Sequence, residues 1–460
     1  MRANVLTRAW WAGVWVASRP FASVARARGR RWLALVATEC LVAVVVGVGL
    51  FIATGTPGLP DVPAPFDTRA LDGETLPDDR NASILFEEAA SVLTRLPPRN
   101  NTPFRRGTQA QTHPDDPEIG RWVDENREAL ALFLEGAARP DALRLVSTGL
   151  PARSNNPWVL QDLATLAAEE SARRQARGDL EGAWAVDRAL FRAAALIGHR
   201  ANLPGRSLAM MFRAAALGRV GPWANDPRTT PAQLRAALAD LDALDAIAPD
   251  DTYTIQWIYR FTASQLAAPR GGLTWWNDFA VGAGRGGLAK GLSRFAVHAI
   301  RRVRVREPER SLRVLRLSTT RWIAALKTAR GRLPAPEARV LVRQPFQSAR
   351  VDLFGPAADE PAATRAISAR ALAELFAESP DLLDAIAWHW MTLRSVRASE
   401  QADGFKARVA LATALYRRDH NGEEPPDVSA LVGPYLSPSS VPPEPIPLAD
   451  DPTPEIEAAR

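Results

Sequence analysis

Cysteine is almost absent from this chain of 460 residues, because Cys40 is its single example. An intramolecular disulfide and a metal site built from cysteine ligands are therefore excluded. The five histidines are isolated from one another, and neither an H-E-x-x-H nor a G-x-S-x-G motif is present. The sequence accordingly predicts no catalytic residue, no metal ligand and no cofactor. An enzyme without a recognisable motif stays open as an alternative.

The longest apolar run extends from Trp32 to Ala53. Its 22 residues contain one charged side chain, Glu39. The segment before it, residues 1–31, contains seven Arg and no Asp or Glu. As a helix such a run is about 33 Å long, enough for a hydrocarbon core of roughly 30 Å, and Arg-rich flanks stay in the cytoplasm. The sequence predicts a single-pass protein of the cell membrane, with residues 32–53 in the lipid bilayer, a cytoplasmic N-terminus and an extracytoplasmic remainder. A cleaved signal peptide is the alternative.

Glu39 is a candidate functional residue within that run, since a carboxyl at the bilayer centre costs about 2.5–3.5 kcal/mol. The surrounding stretch, ALVATECLVAVVVGVGL, resembles the N-terminal segment of type IV pilins and pseudopilins, in which a Glu lies near the start of the mature hydrophobic helix. The resemblance implies processing beside Ala34. The alternative is a tolerated carboxyl close to the headgroups.

The basic charge of the chain follows from this topology. Removing the seven N-terminal Arg and Glu39 from 57 basic and 51 acidic residues leaves 50 of each sign. A neutral exported part calls for no polyanionic partner, so no nucleic-acid partner is predicted.

Proline and glycine clusters divide the rest of the chain. The expected segments are a cytoplasmic basic arm (1–31), the transmembrane helix (32–53), a Pro-rich tether (54–80), a helical-hairpin domain (81–268), a Gly-rich connection (269–291), a second helical region (292–417) and a Pro-rich tail (418–460). The predicted fold class is mainly α.

Helical hairpins are the predicted architecture of the two helical regions. Gly178 and Asp179 join amphipathic helices at about 158–176 and 180–198, where Gly can adopt a left-handed C-cap and Asp can cap the next helix. This G-D-L-x-x-A turn resembles the centre of a tetratricopeptide hairpin. Thr230 and Pro231 predict another helix start, and the acids of LADLDALD after it predict a solvated face. ARVLV and SARVDLF could form two short strands.

A Gly-rich stretch and a basic stretch each allow a functional interpretation. Gly282, Gly284 and Gly287 fit G-x-G-x-x-G, which would bind a dinucleotide after a strand or form a flexible loop otherwise. Residues 285–350 carry 17 basic residues and three Glu. Pairing with acidic segments of the same chain accounts for this charge. The alternative is contact with an anionic envelope polymer or lipid surface, for which the candidates are Arg301, Arg302, Arg304 and Arg306.

The C-terminal stretch RVALATALYRRDHNGEEPPDVSALVGPYL resembles pseudopilin globular domains, and the same pattern ends many uncharacterised membrane-anchored helical proteins of bacteria. It predicts that Leu431, Val432, Tyr435 and Leu436 fold back onto the preceding helix. Taken together, the sequence predicts a membrane-anchored scaffold or a protein that binds an envelope partner. A pseudopilin-like subunit of a secretion or pilus-type assembly is the alternative.

Overall fold

The structure is a computed structural model that describes residues 59–68, 71, 75–94, 112–143, 157–247, 250–267, 307–328, 334–344, 347–441 and 453–457. These residues are mainly helical, as predicted. The helices are α1 (Ala82–Val92), α2 (Pro117–Glu125), α3 (Arg127–Ala138), α4 (Pro157–Ala176), α5 (Leu180–His199), α6 (Leu203–Ala224), α7 (Pro231–Leu244), α8 (Asp251–Ala267), α9 (Glu307–Thr328), α10 (Ala362–Arg365), α11 (Ala369–Ala377) and α12 (Pro380–Asp419). The strands are β1 (Ala338–Gln344), β2 (Gln347–Leu353) and β3 (Glu455–Glu457).

The predicted fold class requires a correction, because it included a transmembrane helix. Among the residues that the structure describes, no helix combines the length and the apolar character needed to cross a bilayer. The described helices carry polar residues along their length, and even the 40-residue α12 carries many charged side chains. The predicted segment 32–53 lies outside the described residues. The prediction of a membrane-spanning helix is therefore not supported.

The chain divides into two compact units. One comprises residues 1–61 and 266–314, and the other comprises residues 62–265 and 315–460. In the described part of the first unit, Arg313 donates to the carbonyl of Leu59 at 2.5 Å and lies 3.8 Å from the Asp61 carboxylate. The second unit contains all the other features described below, and residues from both predicted helical regions contribute to it.

The predicted α4–α5 hairpin is confirmed. Gly178 has a φ of +88°, the left-handed conformation that favours glycine, and the Asp179 side chain accepts the backbone N–H of Gly182 at 2.9 Å. Ala183 is fully buried, so the two helices can approach closely. Local turn chemistry is sufficient to form this hairpin.

The main hydrophobic core lies among α1 to α7 and α12. Phe133 stacks on Phe212 with ring centroids 6.0 Å apart, and Trp184 packs against Trp223 at 4.8 Å. α2 and α3 are separate helices. Asn126 separates them because its side chain bonds to Thr94 and to the Trp122 carbonyl. Asn offers the backbone such an alternative to continuing a helix.

The acidic side chains in and directly after α7 accept contacts from other parts of the chain in addition to being partly exposed to solvent. The prediction of a purely solvated face was therefore incomplete. Asp240 accepts the indole N–H of Trp184 at 2.8 Å, and Arg408 of α12 donates to Asp242 at 2.9 Å. Arg408 also lies 2.8 Å from Asp245, which directly follows α7. These contacts attach α7 to its neighbours.

The two predicted strands are confirmed as β1 and β2. They pair antiparallel, with Val340 opposite Val351, and β3 adds to the other edge of β1 in parallel, giving the order β2-β1-β3. Ala338, Val340 and Val342 are buried on one face, as the period of two in a strand requires. The tail strand β3 was not predicted, because its pairing depends on where the chain returns.

The predicted return of the C-terminal stretch onto α12 is confirmed for its apolar residues. Leu431 and Leu436 are buried in the main core, in the same cluster as Leu411 and Leu415 of α12. Tyr435 packs edge-on against Tyr416, with ring centroids 5.9 Å apart. Gly433 has a φ of +95° and allows the turn between the two leucines.

Candidate functional site

The site residues predicted from sequence cannot be placed by the structure. Glu39, the four arginines Arg301, Arg302, Arg304 and Arg306, and the Gly282–Gly287 motif lie outside the described residues. Their predicted roles stay predictions.

The described part of the basic stretch is paired within the chain. Arg321 and Glu360 are both fully buried, 3.1 Å apart, and Arg339 donates to Asp352 at 2.9 Å. Arg350 lies 2.9 Å from Glu455 of the tail strand. Within 307–328, 334–344 and 347–350, internal ion pairs therefore account for much of the basic charge, as one of the two interpretations expected.

Among the described residues, a group of buried charges lies beside a cavity of about 400 Å³. We call this the Arg206 cavity. Helices α5, α6, α7 and α12 surround it, together with Asp251 at the start of α8 and the segment Ser439–Val441. Its charged lining residues are Arg206, Arg213, Arg397, Arg408, Asp245, Asp251 and Glu400.

Arg206 is at the centre of this charged group. Its guanidinium Nε donates to Glu400 Oε1 at 3.0 Å, its Nη2 donates to the other oxygen of the same carboxylate, and its Nη1 donates to Asp251 Oδ1 at 2.9 Å. Only 1% of the side chain is exposed. Such a bidentate, charge-assisted contact has a fixed geometry, so Arg206 holds α12 and the start of α8 against α6.

Local sequence places these groups. Asn202 caps α6 by accepting the N–H of Gly205 at 2.9 Å, and Asp250 caps α8 by accepting the N–H of Thr252 at 2.9 Å. Arg206 therefore lies in the first turn of α6, and Asp251 is the first residue of α8. Both helices begin next to the cavity.

Two more arginines share the carboxylates that bind Arg206. Arg213 Nη1 lies 4.0 Å from Glu400 Oε1, and Arg397 Nε lies 3.3 Å from Asp251 Oδ2. Within the described residues, Arg213 Nη1 and Arg397 Nη1 are buried and donate no hydrogen bond. Three arginines thus contact two carboxylates, and Asp403 and Asp245 also act on Arg213.

Burial is the largest influence on the pKa of Arg213. Burial lowers the pKa of its guanidinium, Glu400 opposes that effect, and the positive charge of Arg206 adds to it. Asp403 and Asp245 give further, smaller opposition. A buried cation in this situation is stabilised by any additional anion close to it.

Apolar side chains also line the Arg206 cavity. Phe191, Leu241, Leu244, Ile247, Phe405 and Val441 line it. Phe191 and Leu241 belong to the main core, and Leu244, Ile247 and Phe405 are partly buried against it. A cavity of roughly 300–1,000 Å³ with an apolar wall and a few polar groups is typical of ligand sites. A second cavity, beside Phe86 and Trp257, measures only about 40 Å³.

A separate polar cluster lies inside the α4–α5–α6 core. Asp187 is fully buried, and neither of its carboxylate oxygens accepts a well-formed hydrogen bond from a described residue. Burial raises the pKa of the Asp187 carboxyl to about 7, while the Arg219 guanidinium and the Ser171 hydroxyl oppose the rise. Burial also raises the pKa of Glu169, which accepts the backbone N–H of His113 at 2.9 Å.

The histidines and carboxylates of the described ranges form no group that could hold a metal ion. His389 is half-buried in α12. Its ring centroid is 5.0 Å from that of Phe261, its Nδ1 contacts the Ala385 carbonyl at 2.9 Å, and burial lowers its pKa. His389 therefore packs against an aromatic ring of α8.

Comparisons with protein-family models, with curated proteins and with solved structures found no match for this chain. The resemblance of its C-terminal stretch to pseudopilins therefore stays a prediction.

The Arg206 cavity was missed from sequence. Arg206 and Glu400 are 194 residues apart, and Arg213 lies seven residues after Arg206, a spacing that only places both on one face of a helix. On α12, Arg397, Glu400, Gly404 and Arg408 also share one face. Such patterns are ordinary in amphipathic helices, so nothing local identifies them as a site.

Proposed function

We propose that this protein is a non-catalytic binding or scaffolding protein, and that it contacts its partner at the Arg206 cavity. The observation that supports the proposal is a cavity of about 400 Å³ that is lined by charged side chains of α6, α8 and α12 and by apolar side chains of α5 and α7. A partner that presents polar and apolar groups together would match this lining.

The state of the carboxylates favours binding over catalysis. Glu400 and Asp251 each contact two arginines, so either would have to give up an ion pair in order to take a proton from a substrate. A general base works best when it is free to accept a proton near neutral pH. The other roles that the sequence predicts, a pseudopilin-like subunit and an enzyme without a motif, stay predictions.

The proposal is tested by photo-crosslinking in cells that produce the full chain. Phe405 lines the cavity and is partly buried, so it can be replaced by the aromatic crosslinker p-benzoylphenylalanine. We expect one discrete covalent adduct from position 405, and its loss when Arg213→Gln is added. The matched control is the same replacement at Tyr435, an aromatic residue that does not line the cavity. Equal adducts from both positions, or an adduct that is independent of Arg213, would contradict the proposal.

A further inference from the structure

We propose that the edge of β1 that β3 covers is a docking site for an extended segment of a partner protein, and that β3 is an internal ligand which this segment displaces. The partner segment runs parallel to β1 and carries an apolar residue between two acidic residues. This inference concerns a different surface from the Arg206 cavity and does not rest on the function proposed for that cavity.

The backbone of β1 supplies the binding groups of this edge. The N–H of Arg339 donates to the carbonyl of Pro454 at 3.0 Å. Three pairs of residues then align β1 with β3, Arg339 with Glu455, Val340 with Ile456 and Leu341 with Glu457. An exposed strand edge binds an extended segment through such main-chain hydrogen bonds, and the side chains on either face add specificity.

The side chains of β3 show which sequence fits the edge. Glu455 Oε1 lies 2.9 Å from Arg350 Nε, so an arginine of β2 reaches an acid on the third strand. Glu457 shares the face of Glu455, because side chains alternate along a strand. Ile456 is half-buried opposite the buried Val340, and α11 lies against both strands. An acidic, an apolar and a second acidic residue therefore match the sheet in this register.

The structure holds β3 by few interactions. Its pattern is one half-buried residue between two exposed ones, and the Glu455 and Arg350 side chains stay 36% and 40% exposed. Exposed ion pairs contribute little to stability. Ordering each residue costs conformational entropy comparable with the net contribution of one backbone hydrogen bond. The docking of β3 is therefore close to balanced, and a better ligand can replace it.

The length of β1 favours a segment of another protein over a second copy of this chain. β1 continues to Gln344, three residues beyond the last position that β3 pairs. A longer segment can use these positions as well. A second copy brings only the same three-residue strand, and the strand of the chain itself has the advantage of a high effective concentration.

The experiment is fluorescence anisotropy on the purified full chain with the labelled peptide PTPEIEVTV. Its first six residues copy 452–457, and its last three add β-branched and apolar residues for the uncovered part of β1. The reference peptide has proline in place of isoleucine. It has the same charge but lacks the N–H that this register directs at β1. We expect the first peptide to bind and the reference peptide to fail.

Ile456→Pro in the full chain should expose the edge. The variant should bind the peptide at least about 10-fold tighter than the wild type, if β3 leaves no more than about a tenth of the wild-type edges free. Glu457→Pro is the matched control, because the N–H of Glu457 points away from β1 in this register. Proline is tolerated at such an edge position, so the affinity should stay within about twofold of the wild type.

Glu455→Lys weakens the docking of β3 without changing its backbone. It places a like charge beside Arg350, and peptide binding should tighten by roughly 2- to 5-fold relative to the wild type. Arg350→Glu, added to Ile456→Pro, should reverse the preference of the edge. This double variant should bind a peptide with lysine in place of the first glutamate more tightly than PTPEIEVTV.

Three results would overturn the proposal. The first is no binding of PTPEIEVTV to the wild type or to Ile456→Pro, and the second is equal binding of the peptide to both. The third comes from light scattering on the wild type. A dimer that Ile456→Pro abolishes and Glu457→Pro retains would show that the edge takes the strand of a second copy instead of a partner.

Discussion

Arg206 of α6 and Glu400 of α12 form a bidentate ion pair across 194 residues of sequence, with Nε and Oε1 3.0 Å apart. Both side chains are buried, at 1% and 7% exposure. Removing one partner of a buried pair leaves the other as an uncompensated charge, which costs more than the pair itself contributes. The ion pair therefore ties the C-terminal helix to the hairpin core.

Glu400→Gln should destabilise the fold by about 3–5 kcal/mol, because it leaves both Arg206 and Arg213 without their shared counter-charge. Urea unfolding at pH 7 followed by circular dichroism measures this change. Glu374→Gln is the control, since Glu374 is 61% exposed and pairs with an exposed Arg370, and its cost should be below about 1 kcal/mol. Equal free energies of unfolding for the two variants would show that the buried pair contributes no more to stability than the exposed pair.

Ionisation of the buried Asp187 carboxyl should make the free energy of unfolding decrease as the pH rises. Its folded-state pKa of about 7 lies above the value of 3.8 expected in the unfolded chain. The contribution of Asp187 to the free energy of unfolding is therefore fully present below about pH 4 and is lost as the pH rises through about 7. The shift of roughly three units corresponds to about 4 kcal/mol.

Asp187→Asn tests this assignment, because the amide stays neutral at every pH. The variant should match the wild type near pH 4 and exceed its free energy of unfolding by up to about 4 kcal/mol at pH 8. The exposed Asp115→Asn controls for the removal of one carboxyl. A variant that is less stable than the wild type at pH 8 would mean that Asp187 works as a charged partner of Arg219.

Gly178→Ala should lower the free energy of unfolding by about 1–2 kcal/mol, because the φ of +88° at this position is unfavourable for a residue with a Cβ atom. Gly221→Ala is the matched comparison. It lies inside α6, and a Cβ added there meets no atom within 4 Å. This change should be neutral or should stabilise by about 0.5–1 kcal/mol. Thermal unfolding of the two variants side by side measures the difference, and equal melting temperatures would contradict the hairpin geometry.

Leu431→Ala should cost about 2–5 kcal/mol, since Leu431 is fully buried in the core beneath α12. Val432→Ala, next to it and only half-buried, should cost clearly less. Urea unfolding of both variants determines whether the C-terminal stretch contributes to the core. Comparable small effects for both would mean that this stretch adds little to stability.

The sequence by itself determined the features that depend on residues close together in the chain. Gly178 and Asp179 form a helical hairpin because their backbone and side-chain preferences act within one turn. Thr230 and Gln233 form the capping box at the predicted start of α7, and the alternation in 338–342 and 348–354 produces the strands β1 and β2. In each case the relevant atoms lie within a few residues, so composition and spacing are sufficient.

Tertiary structure alone decided which buried charges meet. Nothing near Arg206 in sequence indicates Glu400, and nothing near Asp187 indicates that a carboxylate in the middle of α5 is fully enclosed. The parallel pairing of β3 with β1 likewise depends on the path by which the tail returns. A helix with one charged residue on its apolar face has the same sequence pattern whether that residue contacts a counter-charge, an uncharged polar group or water. The packing of α4, α5, α6 and α12 makes that choice, and with it creates the Arg206 cavity.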